Sequence, residues 1–304
     1  MFEKQSVVMM YAISPVHMGA GTATGLVDNP IQREAHTAHP VFAGSGIKGA
    51  VRHSWENLGG RKDEINAIFG PDPDSKAENK QAGAVSFGDA QLVLFPVRSL
   101  KESYVYAASP TTLARARRLL HFAGVSVDWD IPQVAQGQVA MTRQGAEALL
   151  DADKLYLEAF EYGPVDAQVD AIAESLAELA LNDDDSLSFF REKIADHLVI
   201  LNDSDFNYFV ENSTLVEPHV RIDPDTGTAE GGGLFYSENL PPEAVMIAPL
   251  LVSSERKSNK SERKDAEEIM RQLNTVMNGR ILQLGGDATT GRGLVMCKIV
   301  QQGG

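Results

Sequence analysis

The stretch SPVHMGAGTATGLVDNPIQREAHTAHPVFAGSGIKGAVR, residues Ser14–Arg52, combines a glycine-rich loop, an isolated carboxylate and a helix start. Gly19, Gly21 and Gly25 lend the loop a backbone freedom that side chains would deny. Asp28 stands between Val27 and the Asn29-Pro30 turn signal. In GSGIKGAVR, Ser45 is expected to cap a helix, and the glycines let a ligand approach the backbone. A helix N-terminus offers unpaired N–H groups and the positive end of the dipole, so anions settle there. Lys48 and Arg52, four residues apart on one helical face, add charge at the same place. Together these features describe a phosphate-handling surface with one candidate catalytic group, Asp28.

Before this stretch, Gln5–Ser14 is apolar on both alternating faces, as expected of a strand buried on both sides. After it, Ile47, Ala50, Val51, Trp55 and Leu58 recur at helical spacing, and Lys62–Phe69 reads as a second short helix. Asp72–Gly83 reads as a mobile polar loop and Ala84–Val97 as a strand. Ser109-Pro110 opens a helix carrying Arg115, Arg117 and Arg118, which form either a solvated face or an RNA contact.

Asp166–Leu181 and Leu187–His197 are expected helices, and residues 125–215 look like an acidic helical insertion. Leu215–Asp223 alternates as a strand and runs into a turn and the glycines 231–233, which predicts a hairpin arm at 223–242. Ala244–Ser253 is a strand. A charged segment then feeds a helix ending near Asn278-Gly279, followed by a glycine loop and the strand Leu294–Val300. Strand, helix, strand, twice over, predicts an α+β chain. It is read as a single domain, a ferredoxin-like (RRM-like) core with large helical and hairpin insertions.

No apolar run approaches the ~20 residues of a membrane span, so no membrane role is expected. The single Cys297 excludes an intramolecular disulfide and a four-cysteine zinc site, and a reducing, cytoplasmic location is expected. A net charge of −15 argues at first against nucleic acid. Its distribution does not. Residues 147–240 hold 22 Asp/Glu and 4 Lys/Arg, which leaves 20 acids and 23 bases elsewhere of the 42 and 27 in the chain. The remainder is free to present a basic face.

GSGIKG satisfies G-x-G-x-x-G, but Pro40 interrupts the short preceding strand and no series of βαβ units follows, so dinucleotide binding is not supported. GGDATTGRG, residues Gly285–Gly293, lacks the Lys-Ser/Thr ending of a nucleotide loop. Its glycines Gly285, Gly286 and Gly291, with Arg292, instead suit a backbone-lined concavity that tracks a polyphosphate chain. The expected contacts to a polyphosphate chain, RNA where the resemblance given below holds, are His17, Gly19, Gly21, Arg33, Ser45, Lys48, Arg52, Gly285, Gly286, Gly291 and Arg292, with Tyr236 and Glu238 as site neighbours if the arm folds over that chain. His36 and His39 form an H-x-x-H without a third ligand, which is a poor metal signature. Asp28 alone cannot serve as acid and base at both ends of a reaction. It can hold a divalent ion (Mg or Mn) against a phosphoryl oxygen, or help deprotonate a ribose 2′-hydroxyl.

VDNPIQRE followed by PVFAGSGIKGAVR, together with FGDAQLVLFPVRS (Phe87–Ser99) and LGGDATTGRGLV (Leu284–Val295), resembles the RAMP superfamily of CRISPR proteins. Within it, the pattern is most similar to the repeated backbone subunit of the Cmr (type III-B) RNA-guided effector complex. The resemblance implies a RAMP fold, a guide (CRISPR) RNA, a target RNA cut in a metal-dependent reaction, copies of the chain in a helical filament, and other Cmr-complex subunits. It places the family's loop aspartate at Asp28. Two alternatives stay open: a scaffold that binds RNA without cutting, and a stand-alone guide-processing endoribonuclease that would use His17 as its base.

Overall fold

Every residue from Val7 to Ala12 is buried, so the first strand has core on both faces. In the computed structural model, which describes residues 2–302 apart from 22, 24, 72–80 and 257–262, that strand is β1 (Lys4–Ala12). Most of the expected polar loop at Asp72–Gly83, and the middle of the charged segment before the last helix, lie outside the described residues.

Next come β2 (Val41–Phe42), α1 (Gly44–Asn57), α2 (Lys62–Phe69), β3 (Val85–Phe87), β4 (Ala90–Arg98), β5 (Tyr104–Ala108) and α3 (Pro110–Phe122). The middle of the chain holds β6 (Gln138–Met141), α4 (Arg143–Leu149), β7 (Leu155–Leu157), β8 (Phe160–Pro164), α5 (Asp170–Ala180), α6 (Ser188–His197), β9 (Leu198–Leu201) and α7 (Asp203–Asn212). It ends with β10 (Leu215–Ile222), β11 (Ala229–Asn239), β12 (Val245–Val252), α8 (Ala266–Met277), β13 (Arg280–Gln283) and β14 (Leu294–Val300).

Four strands lie side by side in the order β14-β1-β12-β4, each antiparallel to its neighbour. With α1 following the first of them in the chain and α8 the third, this is the ferredoxin-like arrangement expected from the element order. One face (Val8, Met10, Ala12) packs on α1, α2 and α8 through Ile47, Ile65 and Ile269. The other (Val7, Met9, Tyr11) packs on α3, α5 and α6 through Leu113, Ile172 and Ile194.

The insertion differs from its expectation. It is not an added helical body: β5, β9, β6, β8 and β7 extend the main sheet beyond β4. They then curl back on it, because Ser99 bridges Leu157 and Leu100 N–H donates to the Tyr156 carbonyl at 3.1 Å. These strands are too short to show a period that separates them from coil. β10 and β11 stand apart as a two-stranded ribbon, the expected arm, with Val216, Val220, Ile222 and Leu234 exposed along it. No described helix is long and apolar enough to cross a membrane.

The start of α1 also corrects the sequence reading. Ala43, not Ser45, is the N-cap residue, and no cap-residue side chain bonds there. The Gly44 N–H donates instead to Asp89 Oδ1 at 2.8 Å, so the chain's own carboxylate sits where a phosphate was expected. Asp89 reaches it because Gly88, packed on Pro249, breaks the expected single strand into β3 and β4. A Cβ on Gly44 would lie 2.2 Å from the Phe87 carbonyl oxygen, a backbone atom that cannot move aside. Asp89→Ala is expected to lower stability by about 1 kcal/mol, the usual value of a helix cap. Gly44→Ala should cost more. Thermal unfolding of the two variants checks that ranking.

Candidate functional site

β1 ends at Ala12, and the residues after it run beside the glycine loop. Ile13 N–H donates to the Leu294 carbonyl at 2.8 Å, Gly293 N–H to Pro15 at 2.7 Å and Gly286 N–H to His17 at 2.9 Å. Gly285 has φ +79°, and a Cβ there would press on the His17 carbonyl oxygen at 2.3 Å. Only glycine allows that approach. Gly19 serves a different need, since a Cβ there would lie 2.8 Å from His17 Nε2. His17 Nδ1 is 2.7 Å from the Glu238 carbonyl oxygen. A carbonyl only accepts, so Nδ1 carries a proton, and Nε2 is the nitrogen turned toward Gly19. Gly21, Gly286 and Gly291 lie on the same two loops.

The ribbon meets this assembly at its root. Residues 28–29 pair with β11 on the side away from β10: Asn29 N–H donates to Tyr236 O at 3.0 Å, and Glu238 N–H to Asn29 O at 2.9 Å. Asp28 is exposed, and its Oδ2 accepts the Tyr236 N–H at 2.8 Å. Glu238 is only 7% exposed. Its Oε2 accepts the Ile31 N–H at 3.1 Å, and its Oε1 accepts from Thr214 Oγ1 at 2.8 Å and Arg33 Nη2 at 2.5 Å. Arg292 crosses from the glycine loop to Glu217 Oε2 at 2.7 Å, an oxygen that also accepts from Asn239 Nδ2 at 2.9 Å.

Residues far apart in sequence thus come together: His17, Gly19, Asp28, Tyr236, Glu238, Gly285, Gly286 and Arg292. The residues of α1 are placed otherwise. Ser45 is exposed and does not cap. Arg52 bonds Gly70 O at 2.7 Å and Asn66 Oδ1 at 2.9 Å, which ties α1 to the end of α2. Lys48 is half-buried beside Arg52 and Arg256; burial and then these two cations hold its ammonium below the usual lysine range. Arg33 is turned into the protein, onto the Ala38 and Val210 carbonyls and Glu238. Arg115 is held by Glu34 at 2.7 Å, and Arg117 reaches the Trp129 carbonyl at 2.9 Å. Glu217 and Asp89 escaped the sequence reading, Asp89 although it stands in the FGDAQLVLFPVRS stretch, since only strand pairing brings each to its partner.

Among the described residues, no three His, Cys, Asp or Glu side chains are grouped to hold a metal ion. Asp28 offers one carboxylate oxygen with no protein partner among them. Magnesium is characteristically held by one or two carboxylates, waters and substrate phosphates. That donor set fits an ion arriving with RNA.

A family model described as the RAMP superfamily matches residues 10–296. This chain belongs to the RAMP superfamily. It is 37% identical over 303 residues to the CRISPR system Cmr endoribonuclease Cmr4 of Pyrococcus furiosus, covering 96% of this chain and 94% of that one. Crystalline oligomeric Cmr4 from the same organism superposes with a TM-score of 0.73 at 26% identity, over 98% of this RAMP chain and 99% of that one. A chain of the type III-B Cmr-beta complex bound to cognate target RNA gives a TM-score of 0.72 at 19% identity, over 98% of each, a likeness of fold.

Where the RAMP chain leaves the ribbon for β12 it turns at Glu243, whose φ is +71° and whose N–H donates to Ala12 O at 2.7 Å. Burial pushes this carboxyl from 4.5 up to about 7. The folded state then binds a proton that the unfolded chain has lost, so this group makes stability fall as pH rises from about 4.5 to about 7. Glu243→Gln should flatten that part of the stability-against-pH curve, measured by denaturant unfolding at a series of pH values.

Proposed function

We propose that this RAMP chain is the repeated guide-RNA-binding subunit of a type III-B complex and the endoribonuclease that cuts its target RNA, with Asp28 as the cutting carboxylate. The observation that carries this reading is the mounting of Asp28. An exposed carboxylate has one oxygen fixed by a backbone N–H of the ribbon, at the one place where the glycine loop, the first loop and the ribbon root meet. The name of the Pyrococcus relative, an endoribonuclease, supports the same chemistry.

RNA carries its own nucleophile. If the chain is splayed so that a 2′-hydroxyl lies in line with its adjacent phosphate, the O2′–P bond forms as the P–O5′ bond breaks. The products are a 2′,3′-cyclic phosphate and a 5′-hydroxyl, whose leaving oxygen takes its proton from solvent water. Asp28 Oδ1 accepts the 2′-hydroxyl proton, while the Tyr236 N–H keeps the carboxylate from turning away. His17 Nε2 and the backbone of Gly19 and Gly286 line the approach. A divalent ion held between Asp28 and the RNA would neutralise charge on the phosphoryl oxygens. Guide RNA runs along the same face, across copies of the chain in a filament with other Cmr subunits. Lys48, which has no carboxylate partner among the described residues, is its phosphate contact.

Asp28→Asn keeps the shape and removes the charge. In an assembled complex it is expected to bind target RNA within about tenfold of wild type, or ~1.4 kcal/mol. Cleavage should fall much further, because the charge matters most in the transition state. A single-turnover rate equal to wild type would make Asp28 structural and leave a scaffold. Chelating divalent metal, or placing deoxyribose at the cut site, is expected to stop the wild-type reaction. Lys48→Ala should weaken binding to unrelated RNA sequences about equally and lower the salt slope by about one. A loss confined to one sequence would argue against a phosphate contact.

A further inference from the structure

Arg33 was expected at the RNA, yet its guanidinium is committed on two sides. Nη1 donates to Ala38 O at 2.6 Å and to Val210 O at 3.2 Å, and Nη2 to Glu238 Oε1 at 2.5 Å. It therefore joins the turn after residue 33, the end of α7 and the ribbon root. Glu238 passes that constraint on: its second oxygen accepts the Ile31 N–H, three residues beyond Asp28. On the ribbon side, residues 28–31 bond to Tyr236, Ser237 and Glu238, while the Asp28 and Pro30 carbonyls accept from Ala23 and Ala20 of the first loop, so the ribbon strand and the Glu238 carboxylate fix one side of the segment that carries Asp28. The pair is largely shielded from water, with side-chain exposures of 21% for Arg33 and 9% for Glu238. A guanidinium whose two terminal nitrogens already have acceptors within the protein does not suit a phosphate ligand. It suits a brace.

We propose that Arg33 is a positioning residue, which through Glu238 fixes the Asp28 strand against the ribbon and so sets the place at which target RNA is cut. This rests on the reading of Asp28 as the cutting group. Lysine cannot replace Arg33, because a single ammonium lacks the planar fork that reaches two carbonyls and a carboxylate at once. The remaining slack acts on the reacting geometry, where a displacement of about 1 Å costs up to 10²-fold in rate.

The test uses assembled complexes carrying Arg33→Lys, Glu238→Gln or Asp28→Asn beside wild type. Arg33→Lys is expected to bind guide and target RNA within about twofold of wild type with an unchanged salt slope. Its single-turnover cleavage should fall about tenfold or more, with cuts spread to neighbouring positions. Amide exchange at Asn29 and Ile31 should quicken while β1 and α1 stay protected. Glu238→Gln, which keeps an acceptor for Ile31 N–H but loses the charge, should behave in the same way and more mildly. A weaker affinity with a shallower salt slope in Arg33→Lys would make Arg33 an RNA contact and overturn the proposal. Wild-type rate and cut positions in both Arg33→Lys and Glu238→Gln would overturn it too. If Asp28→Asn cuts normally the catalytic reading fails, and unchanged exchange at Ile31 in Arg33→Lys is what separately sinks the brace.

Discussion

β1 lies between β12 and β14 and is antiparallel to both, and the site depends on that placement. The C-terminal end of β1 must then coincide with the N-terminal ends of its two neighbours. The first loop leaves from one, the ribbon enters through another and the glycine loop enters through the third. Residues more than 200 positions apart are thereby brought within hydrogen-bonding distance, as His17 is to Glu238 and Ser14 to Leu294. Burial on both faces places β1 where helices cover both sides of the sheet, and its strand neighbours on both edges pair its backbone groups.

Electrostatics refines this frame rather than building it. The acids are concentrated in residues 147–240, most of them on the insertion. Where they reach the site they are matched: Glu217 meets Arg292 and Glu238 meets Arg33. Glu238 is buried, and leaving its carboxylate without the Arg33 guanidinium would be strongly destabilising, by about 3–5 kcal/mol, so that pair constrains geometry as much as it contributes stability. What stays outward is Asp28, with Lys48 half-covered on α1. A chain of net charge −15 can thus face a polyanion, because its excess acid is elsewhere or paired.

The ribbon is unlike the rest of the molecule. Two strands with exposed valine, isoleucine and leucine side chains have no core of their own, and such a hairpin is marginal in isolation. Its order comes from the root, where backbone pairing to residues 28–29, the Arg33–Glu238 contact and the Arg292–Glu217 contact all act within a few residues. The same contacts that order the arm also hold Asp28, so the position of the carboxylate is tied to that of the ribbon root.

Much of this was legible in the chain itself. The double-sided apolar run at Val7–Ala12, the helical spacing of Ile47, Val51 and Trp55, the Ser109-Pro110 start and the turn at Asp-Thr-Gly each express a local period or a local backbone preference. Sequence alone therefore determined the order of the ferredoxin-like core elements, the arm and the candidacy of Asp28, but not the short strands β5 to β9 that extend the sheet. Only tertiary structure decided which polar groups are available. Arg33 and Arg52 look like Lys48 in sequence, yet both find acceptors inside the protein. The helix start that looked ready for phosphate meets Asp89. These outcomes depend on strand pairing across long separations, and no local pattern encodes which carboxylate or carbonyl a long side chain will meet once the sheet has formed.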